Sequence, residues 1–289
     1  MTQPFTIIIP AHNEEAVIAR CLETLLADAP DAGRAQIIVA ANGCNDRTVE
    51  IARATAPDAL VLDLPQGSKT KAMNAAHADA LHFPRIYLDA DVQCSYASLA
   101  TLADMLRKPG VMAASPKIEM DLSRSSTLIR AYYRVWLALP YVQRDMIGSG
   151  CFGLSQSGYE AIGDFPPITG DDIWVHSRFK EGERVNISED EDGNAVFFTV
   201  SPPRRVIDQV RVETRRRLGV AEVMRLYPSA HFTGSNQASD LRAALKLGAS
   251  VFDVAVYVAI KLVARLRGNW AKGRDGKIEW ERDLAAREV

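Results

Sequence analysis

Three short stretches carry side chains whose types and spacing suit chemistry. Asp89-Ala90-Asp91 follows the strand-like run Arg85–Leu88. Two carboxylates at the end of a strand supply hard oxygen ligands of the kind that hold Mg²⁺ or Mn²⁺, and such an ion also takes diphosphate oxygens. The two point apart if the strand continues and converge if the chain turns. The competing assignment is a cap or turn ahead of a helix near Ser95. Asp171-Asp172 ends a Pro-rich loop, Gly163–Thr169, at Gly170. Adjacent aspartates shift each other's pKa, and one can serve as a general base. A helix N-terminus, where the dipole favours acids, explains them equally well in isolation. Gly67-Ser68-Lys69-Thr70-Lys71 suits an anion but lacks P-loop spacing, so its lysines also read as solvated charges at a helix start.

The elements that must position these residues alternate. Strands are expected at Phe5–Ile9, Gln36–Ala40, Ala59–Leu62, Arg85–Leu88 and Val111–Ser115. Helical periodicity covers Glu14–Ala27, a segment opening at Asn45–Thr48 with Asn45 or Asp46 as N-cap, Lys69–Ala80 and Ser95–Leu106. Such alternation predicts parallel βαβ units and a doubly wound sheet, whose ligands bind beyond the carboxyl ends of the strands. His12-Asn13-Glu14, Ala41-Asn42-Gly43, Lys69-x-x-Ala72-x-Asn74 and Leu88-Asp89-Ala90-Asp91 follow the first four strands, so all four polar sets fall on one edge. Further on, Ser125–Leu139 and Ile173–Phe179 read as helices and Cys151–Leu154 as a short strand after Gly148-Ser149-Gly150. Glu181–Asp192 is acidic and turn-rich, Ala195–Val200 is β-prone, and Arg204–Arg217 carries six arginines.

Composition sets outer bounds. The 289 residues make one large domain or two intimate ones, with 47% apolar and 24% charged residues, ordinary for a globular chain. A net charge of -2 argues against nucleic acid as partner, because binding by counterion release needs a basic face. Cys21, Cys44, Cys94 and Cys151 are scattered, which predicts reduced thiols rather than a zinc cage or disulfides. The N-terminal stretch lacks the basic start and long apolar run of a signal peptide, and no window has the roughly 18 uninterrupted apolar residues of a membrane span. A cytoplasmic protein is expected. On one continuous helix, Leu245–Leu266 would show a single polar stripe of Lys246, Ser250, Asp253, Tyr257 and Lys261. Its wide apolar remainder calls for cover, by the rest of the chain, by a second copy in a homodimer, or as an in-plane, peripheral membrane helix backed by the basic residues that follow.

The ordered set IIIPAHNEE (Ile7–Glu15), ANGCNDRT (Ala41–Thr48), GSKTKAMN (Gly67–Asn74), YLDADV (Tyr87–Val92) and GDDIW (Gly170–Trp174) resembles the family 2 glycosyltransferases. The resemblance implies a GT-A-like, doubly wound mixed α/β sheet flanked by helices, with a C-terminal helical extension. It implies a nucleotide-sugar-binding half at 1–115, an acceptor and catalytic-base half at 116–235, and the extension at 236–289. Pro10, Ala11 and Glu14 would line the base and ribose of a nucleotide-diphosphate sugar, and Lys69 would lie near its nucleotide or diphosphate. Asn42 stands where the family usually has an aspartate facing the base. Asp89 and Asp91 would be the DxD that holds Mn²⁺ or Mg²⁺, with Asp91 the stronger ligand candidate. Asp172 matches the base, with Asp171 in place of the usual glutamate beside it, and the two could exchange roles. The implied reaction is inverting transfer to a hydroxyl of a saccharide or lipid-linked saccharide, in polysaccharide or glycolipid synthesis. The processive QxxRW sequence is missing after Gln209, which favours single transfers. A sugar nucleotidyltransferase is the rival enzyme, but Pro10-Ala11-His12-Asn13 stands where its glycine-rich start belongs. A non-catalytic carbohydrate-binding scaffold is the other rival, and the retained Asp91 and Asp172 count against it.

Overall fold

A computed structural model describes residues 3–30, 35–144, 146–231 and 238–272. In chain order the elements are β1 (Thr6–Ala11), α1 (Ile18–Leu26), β2 (Gln36–Asn42), α2 (Thr48–Thr55), β3 (Leu60–Leu64), α3 (Lys69–Asp79), β4 (Arg85–Leu88), β5 (Val92–Cys94), α4 (Tyr96–Leu106) and β6 (Ala113–Met120). They continue with α5 (Thr127–Leu137), α6 (Pro140–Arg144), β7 (Cys151–Leu154), α7 (Gln156–Ile162), α8 (Asp171–Arg178), β8 (Arg184–Ile187), β9 (Phe197–Val200), α9 (Val206–Leu226), α10 (Ala238–Lys246) and α11 (Val251–Lys272). Packing divides them into two compact units. The first comprises residues 3–119 with 146–200, and the second 120–145 with 201–272, among the described residues.

The first unit is built on one mixed sheet of order β3-β2-β1-β4-β7-β6-β9-β5, with β8 paired to β6. β1 is buried along its whole length, because the run TIIIPA has no polar face to offer water. It pairs in parallel with β2 on one side and β4 on the other, and β2 pairs in parallel with β3. The chain moves outward from β1 to β3 and then returns to the far side of β1. The order therefore reverses between β1 and β4, the kind of switch point where α/β sheets bind ligands. β7 runs antiparallel to both β4 and β6, which makes the sheet mixed.

Three local expectations are corrected. α1 begins at Ile18 rather than Glu14, because the Glu14 carbonyl accepts from Val17 and Ile18 in a turn first. β5 and β8 were not expected. β5 has three residues, too few for a periodic signal, and exists through its antiparallel pairing with β9. β8 lies in the acidic, turn-rich stretch and is drawn into strand by parallel pairing with β6, so tertiary pairing overrides local propensity.

The second unit is helical, with α11 packed on α5 and α9. Its C-terminal helix corrects the sequence reading twice. It breaks at Gly248, whose φ of +100° is a left-handed conformation glycine adopts without strain. Lys246 thus belongs to α10, outside the stripe. Ser250 and Asp253 cap the new start reciprocally: Ser250 Oγ accepts from the Asp253 N–H at 3.1 Å, and Asp253 Oδ2 accepts from the Ser250 N–H at 2.8 Å. The polar stripe, moreover, is the packed face. Asp253 takes the Arg134 guanidinium at 2.8 Å, Tyr257 stacks on Tyr132 at 5.0 Å, and Lys261 pairs with Glu213, which also accepts from the Tyr132 hydroxyl at 2.6 Å. Arg211 binds Asp208 at 2.9 Å and Arg216 the Tyr141 hydroxyl at 3.0 Å, so both arginines are engaged within this unit.

Candidate active site

Parallel register brings the strand ends together: Ala11 lies opposite Ala41, and Asn42 opposite Leu64. The loops beyond these ends are stitched to one another. The Glu14 N–H donates to Thr48 Oγ1 at 2.7 Å, the Glu15 N–H to Asp46 Oδ2 at 3.2 Å, and the Asn45 N–H to Asn13 Oδ1 at 2.8 Å. Asp46 also accepts from the Thr48 N–H at 3.0 Å, capping α2 from one residue before the flanking Arg47. Pro10 and Ala11 are buried in β1, and Glu14 is buried just past it.

Asn42 is buried, and its amide is committed to the protein. Its Nδ2 donates to the Ala11 carbonyl at 2.8 Å, and its Oδ1 accepts from the Ser68 N–H at 2.9 Å. Asn42 thus joins β1, β2 and the start of α3. Gly43 completes the join. Its φ is +58°, and a Cβ there would stand 2.6 Å from the Gly67 nitrogen, so a side chain would force the two loops apart. Ser68 caps α3 by accepting from the Lys71 N–H, which leaves Lys69 on the first turn.

Lys69 is where the separate acids meet. Its Nζ lies 2.8 Å from Asp89 Oδ1 and 3.0 Å from Asp171 Oδ2. Burial alone would lower the pKa of this amine, but the carboxylates of Asp171, Asp89 and Asp172 outweigh it and raise the pKa, so Lys69 stays charged. Burial, with Asp91 and Asp171 nearby, pushes the Asp89 carboxyl up to about 6 against the pull of Lys69. Burial also raises Asp171, with Asp172 as its like-charged neighbour and Lys69 opposing. After Leu88 the chain turns rather than continuing as strand, and the Val92 N–H closes the turn onto the Asp89 carbonyl at 3.0 Å. Asp91 sits half-buried in that turn.

Gly148-Ser149-Gly150 read from sequence as a simple break, yet it links the two acidic motifs. The Gly150 carbonyl accepts from the Asp89 N–H at 2.8 Å, and the Ser149 N–H donates to Asp172 Oδ2 at 3.1 Å. Asp172 Oδ1 accepts from the Ile173 N–H at 2.8 Å, so both oxygens are oriented. All three loop residues have positive φ: +108°, +58° and +113°. A Cβ on Gly148 would stand 2.3 Å from Asp172 Cβ. Gly148→Ala should therefore displace Asp172 and lower kcat by about 10²-fold, the scale of an ångström-sized misplacement. Steady-state kinetics, with circular dichroism to check the fold, measure this; full activity would remove the loop from the site.

The roles of two other residues are missing from the sequence reading. His176 stands one turn past Asp172 on α8; burial first and Arg184 second hold its pKa down to about 4 against Asp172, so it is neutral near pH 7. The i, i+4 spacing from Asp172 could have flagged it. Asn74, quoted in the GSKTKAMN stretch, clamps the loop ahead of α8: it donates to the Phe165 carbonyl and accepts from the Phe165 N–H, both at 2.9 Å. Nearby, His77 meets the Tyr87 hydroxyl at 2.9 Å. Burial first and Arg85 second hold its pKa down to about 4, with Asp164 opposing. The folded form then takes up this proton at lower pH than the unfolded chain does. Its effect on stability is therefore a loss as pH falls from 6.5 towards about 4. Thermal melts across that window should drop more steeply for the parent than for His77→Gln; parallel curves would sink the assignment.

Glycosyl transferase family 2 matches residues 6–157, more than half the chain, and this stretch holds the strand-end motifs and the Gly148–Gly150 loop but not α8 with Asp171 and Asp172. None of the curated proteins compared with the chain matches it. Among solved structures, it is similar to mannosyltransferase PcManGT from Pyrobaculum calidifontis in complex with GDP-Man and Mn²⁺. That likeness has 18% identity and a TM-score of 0.62 over 93% of this chain and 87% of the other. It is also similar to glucosyl-3-phosphoglycerate synthase from Mycobacterium tuberculosis, solved with Mn²⁺, UDP and glucosyl-3-phosphoglycerate and again with Mg²⁺ and UDP. Each of these has 19% identity and a TM-score of 0.53 over 77% of this chain and 79% of that one. At such identities the structures speak for the fold, which is GT-A, and the sequence match speaks for the family. The chain belongs to glycosyl transferase family 2 and is a glycosyltransferase.

Proposed function

We propose that the enzyme moves a sugar from a nucleotide-diphosphate donor to an acceptor hydroxyl with inversion, one transfer at a time. The observation that carries this reading is the convergence of Asp89 and Asp171 on the Lys69 ammonium. One sheet edge then holds both the acid motif suited to a departing diphosphate and the acids suited to an acceptor proton. The donor side falls within 1–115, the acceptor and base side within 116–235, and 236–289 is the extension.

Pro10, Ala11 and Glu14 line the base and ribose in this reading. Asn42 shapes the floor beneath them through its bonds to Ala11 and Ser68, rather than presenting a free amide. Asp91 and Asp89 offer hard oxygens to Mn²⁺ or Mg²⁺. Among the described residues no group of three or more His, Cys, Asp or Glu is placed to hold a metal ion by itself. This fits an ion that completes its shell with water and substrate phosphate oxygens. When bound, the metal supplies charge neutralisation for the diphosphate. Lys69, already a cation beside Asp89, adds positive charge at the same place. The ions and nucleotides held by the similar structures support this donor class.

At the other side, Asp171 is held by Lys69, while Asp172 has both oxygens oriented by backbone N–H groups. Asp172 takes the proton of the acceptor hydroxyl as that oxygen attacks the anomeric carbon. The bond from that carbon to the diphosphate oxygen breaks, and the nucleoside diphosphate leaves with the bonding pair. Attack opposite the leaving group inverts the anomeric centre. Single transfer is supported by the missing QxxRW and by the described helices, none of which is long and apolar enough to cross a membrane. A saccharide or lipid-linked saccharide acceptor, as in polysaccharide or glycolipid synthesis, completes the reading, with peripheral membrane contact through 245–266. A thermal-shift panel of nucleotides and nucleotide sugars with Mn²⁺ tests it. Stabilisation by one nucleotide-sugar class is expected; no response to any nucleotide would overturn the reading.

A further inference from the structure

The C-terminal helix α11 is amphipathic in the unusual sense. Asp253, Tyr257, Ile260 and Ala264 are buried against its neighbours, while the opposite face is apolar and open. Val251 is 77% exposed, Leu266 69% and Trp270 68%, with Phe252, Leu262 and Val263 each more than half exposed. At 100° per residue these fall on the side away from the polar stripe, and from Val251 to Trp270 they run about 30 Å along the helix. A continuous apolar band of that length is more than a monomer ordinarily shows to water.

The charges around the band identify what covers it. Asp253 is the only acidic residue in α11, and it is turned inward onto Arg134. On α11 itself Arg265 is exposed and Arg267 half-exposed, and the preceding α10 carries exposed Arg242 and Lys246 with one acid, Asp240. A second copy packed face to face would bring the basic rim of one helix against that of the other, with no carboxylate on the outward face of either α11 to answer it. An anionic bilayer answers both features: acyl chains accept the Phe, Leu and Val side chains, the interface accepts Trp270, and headgroups accept the arginines. The helix cannot be a span, because its inward face is engaged by the ion pairs of Asp253 and Lys261 with α5 and α9.

We infer that the outward face of α11 is an in-plane docking surface for an anionic membrane. This rests on, and gives a residue-level form to, the peripheral contact in the function proposed above, and its test reads lipid binding alone. Flotation of the full chain with vesicles of phosphatidylcholine containing roughly one-third phosphatidylglycerol should recover the protein in the lipid fraction at low salt, and clearly less at about 0.5 M salt or with phosphatidylcholine alone. The double variant Leu262→Glu/Leu266→Glu changes only exposed positions and should lose about tenfold or more in partition, with an unchanged thermal melt. The milder Leu262→Ser/Leu266→Ser should fall between. A chain shortened to residue 272 should bind as the parent does.

Parent protein left unbound at low salt would overturn the inference, as would a Glu variant that binds like the parent. So would a concentration-dependent dimer, seen by analytical ultracentrifugation, that the Glu variant dissociates while neither form binds lipid. Nucleotide-induced thermal shifts on the same samples report on the donor site independently, so failure of the membrane surface and failure of the transferase reading are separate results.

Discussion

Asp172→Asn should lower the turnover of glycosyl transfer by about 10²–10⁴-fold and leave donor affinity nearly intact. Asparagine keeps the size of the side chain, but its single carbonyl oxygen can accept from only one of the Ser149 and Ile173 N–H groups that orient Asp172. It also loses the ability to take a proton, which is the larger effect. A kcat effect without a matching loss of donor binding is the signature of a group that acts on the acceptor. Asp171→Asn makes a different prediction. Asp171 is buried and paired with Lys69, so its loss leaves an ammonium with one partner fewer and should disturb donor binding together with turnover. Steady-state kinetics of both variants decide the matter: an active Asp172→Asn beside a dead Asp171→Asn would move the base to Asp171.

The second large effect is expected at Asp91. An oxygen ligand worth about 2–3 kcal/mol to a metal-bound diphosphate corresponds to about 30–150-fold in donor affinity. Asp91→Asn should show that loss in Mn²⁺ and almost none in chelator. Lys69→Met should instead weaken binding under both conditions, because its charge serves the edge with or without metal, and the ion pairs to Asp89 and Asp171 disappear with it.

The acidic edge was legible in the sequence because βαβ order is local information. β1, β2 and β4 announce themselves as apolar runs, and parallel pairing then obliges His12–Glu14, Asn42 and Asp89–Asp91 to share an edge. The motif residues were visible, but not all of their jobs. Asn42 and Asn74 read as ligand-facing or unassigned, and the structure spends their amides on backbone partners in other loops. The Gly148–Gly150 loop shows in the sequence only as a break. Its tie between Asp89 and Asp172 is tertiary, joining segments far apart in sequence, and no periodicity encodes it. α11 shows the same limit in another form. The sequence reveals a polar stripe, but which side faces inward depends on Arg134, Tyr132 and Glu213, residues of two other helices that supply its partners.

The proposed chemistry depends on a metal-assisted nucleotide-sugar site at the carboxyl edge of β1, β2 and β4. The most direct measurement is calorimetric titration of the nucleoside diphosphate that gives the strongest thermal shift, into parent and Asp91→Asn protein, each with Mn²⁺ and with chelator. Binding by the parent that tightens at least tenfold with Mn²⁺, and a metal effect that disappears in Asp91→Asn, is the predicted result. Equal parent affinity with metal and with chelator would contradict it.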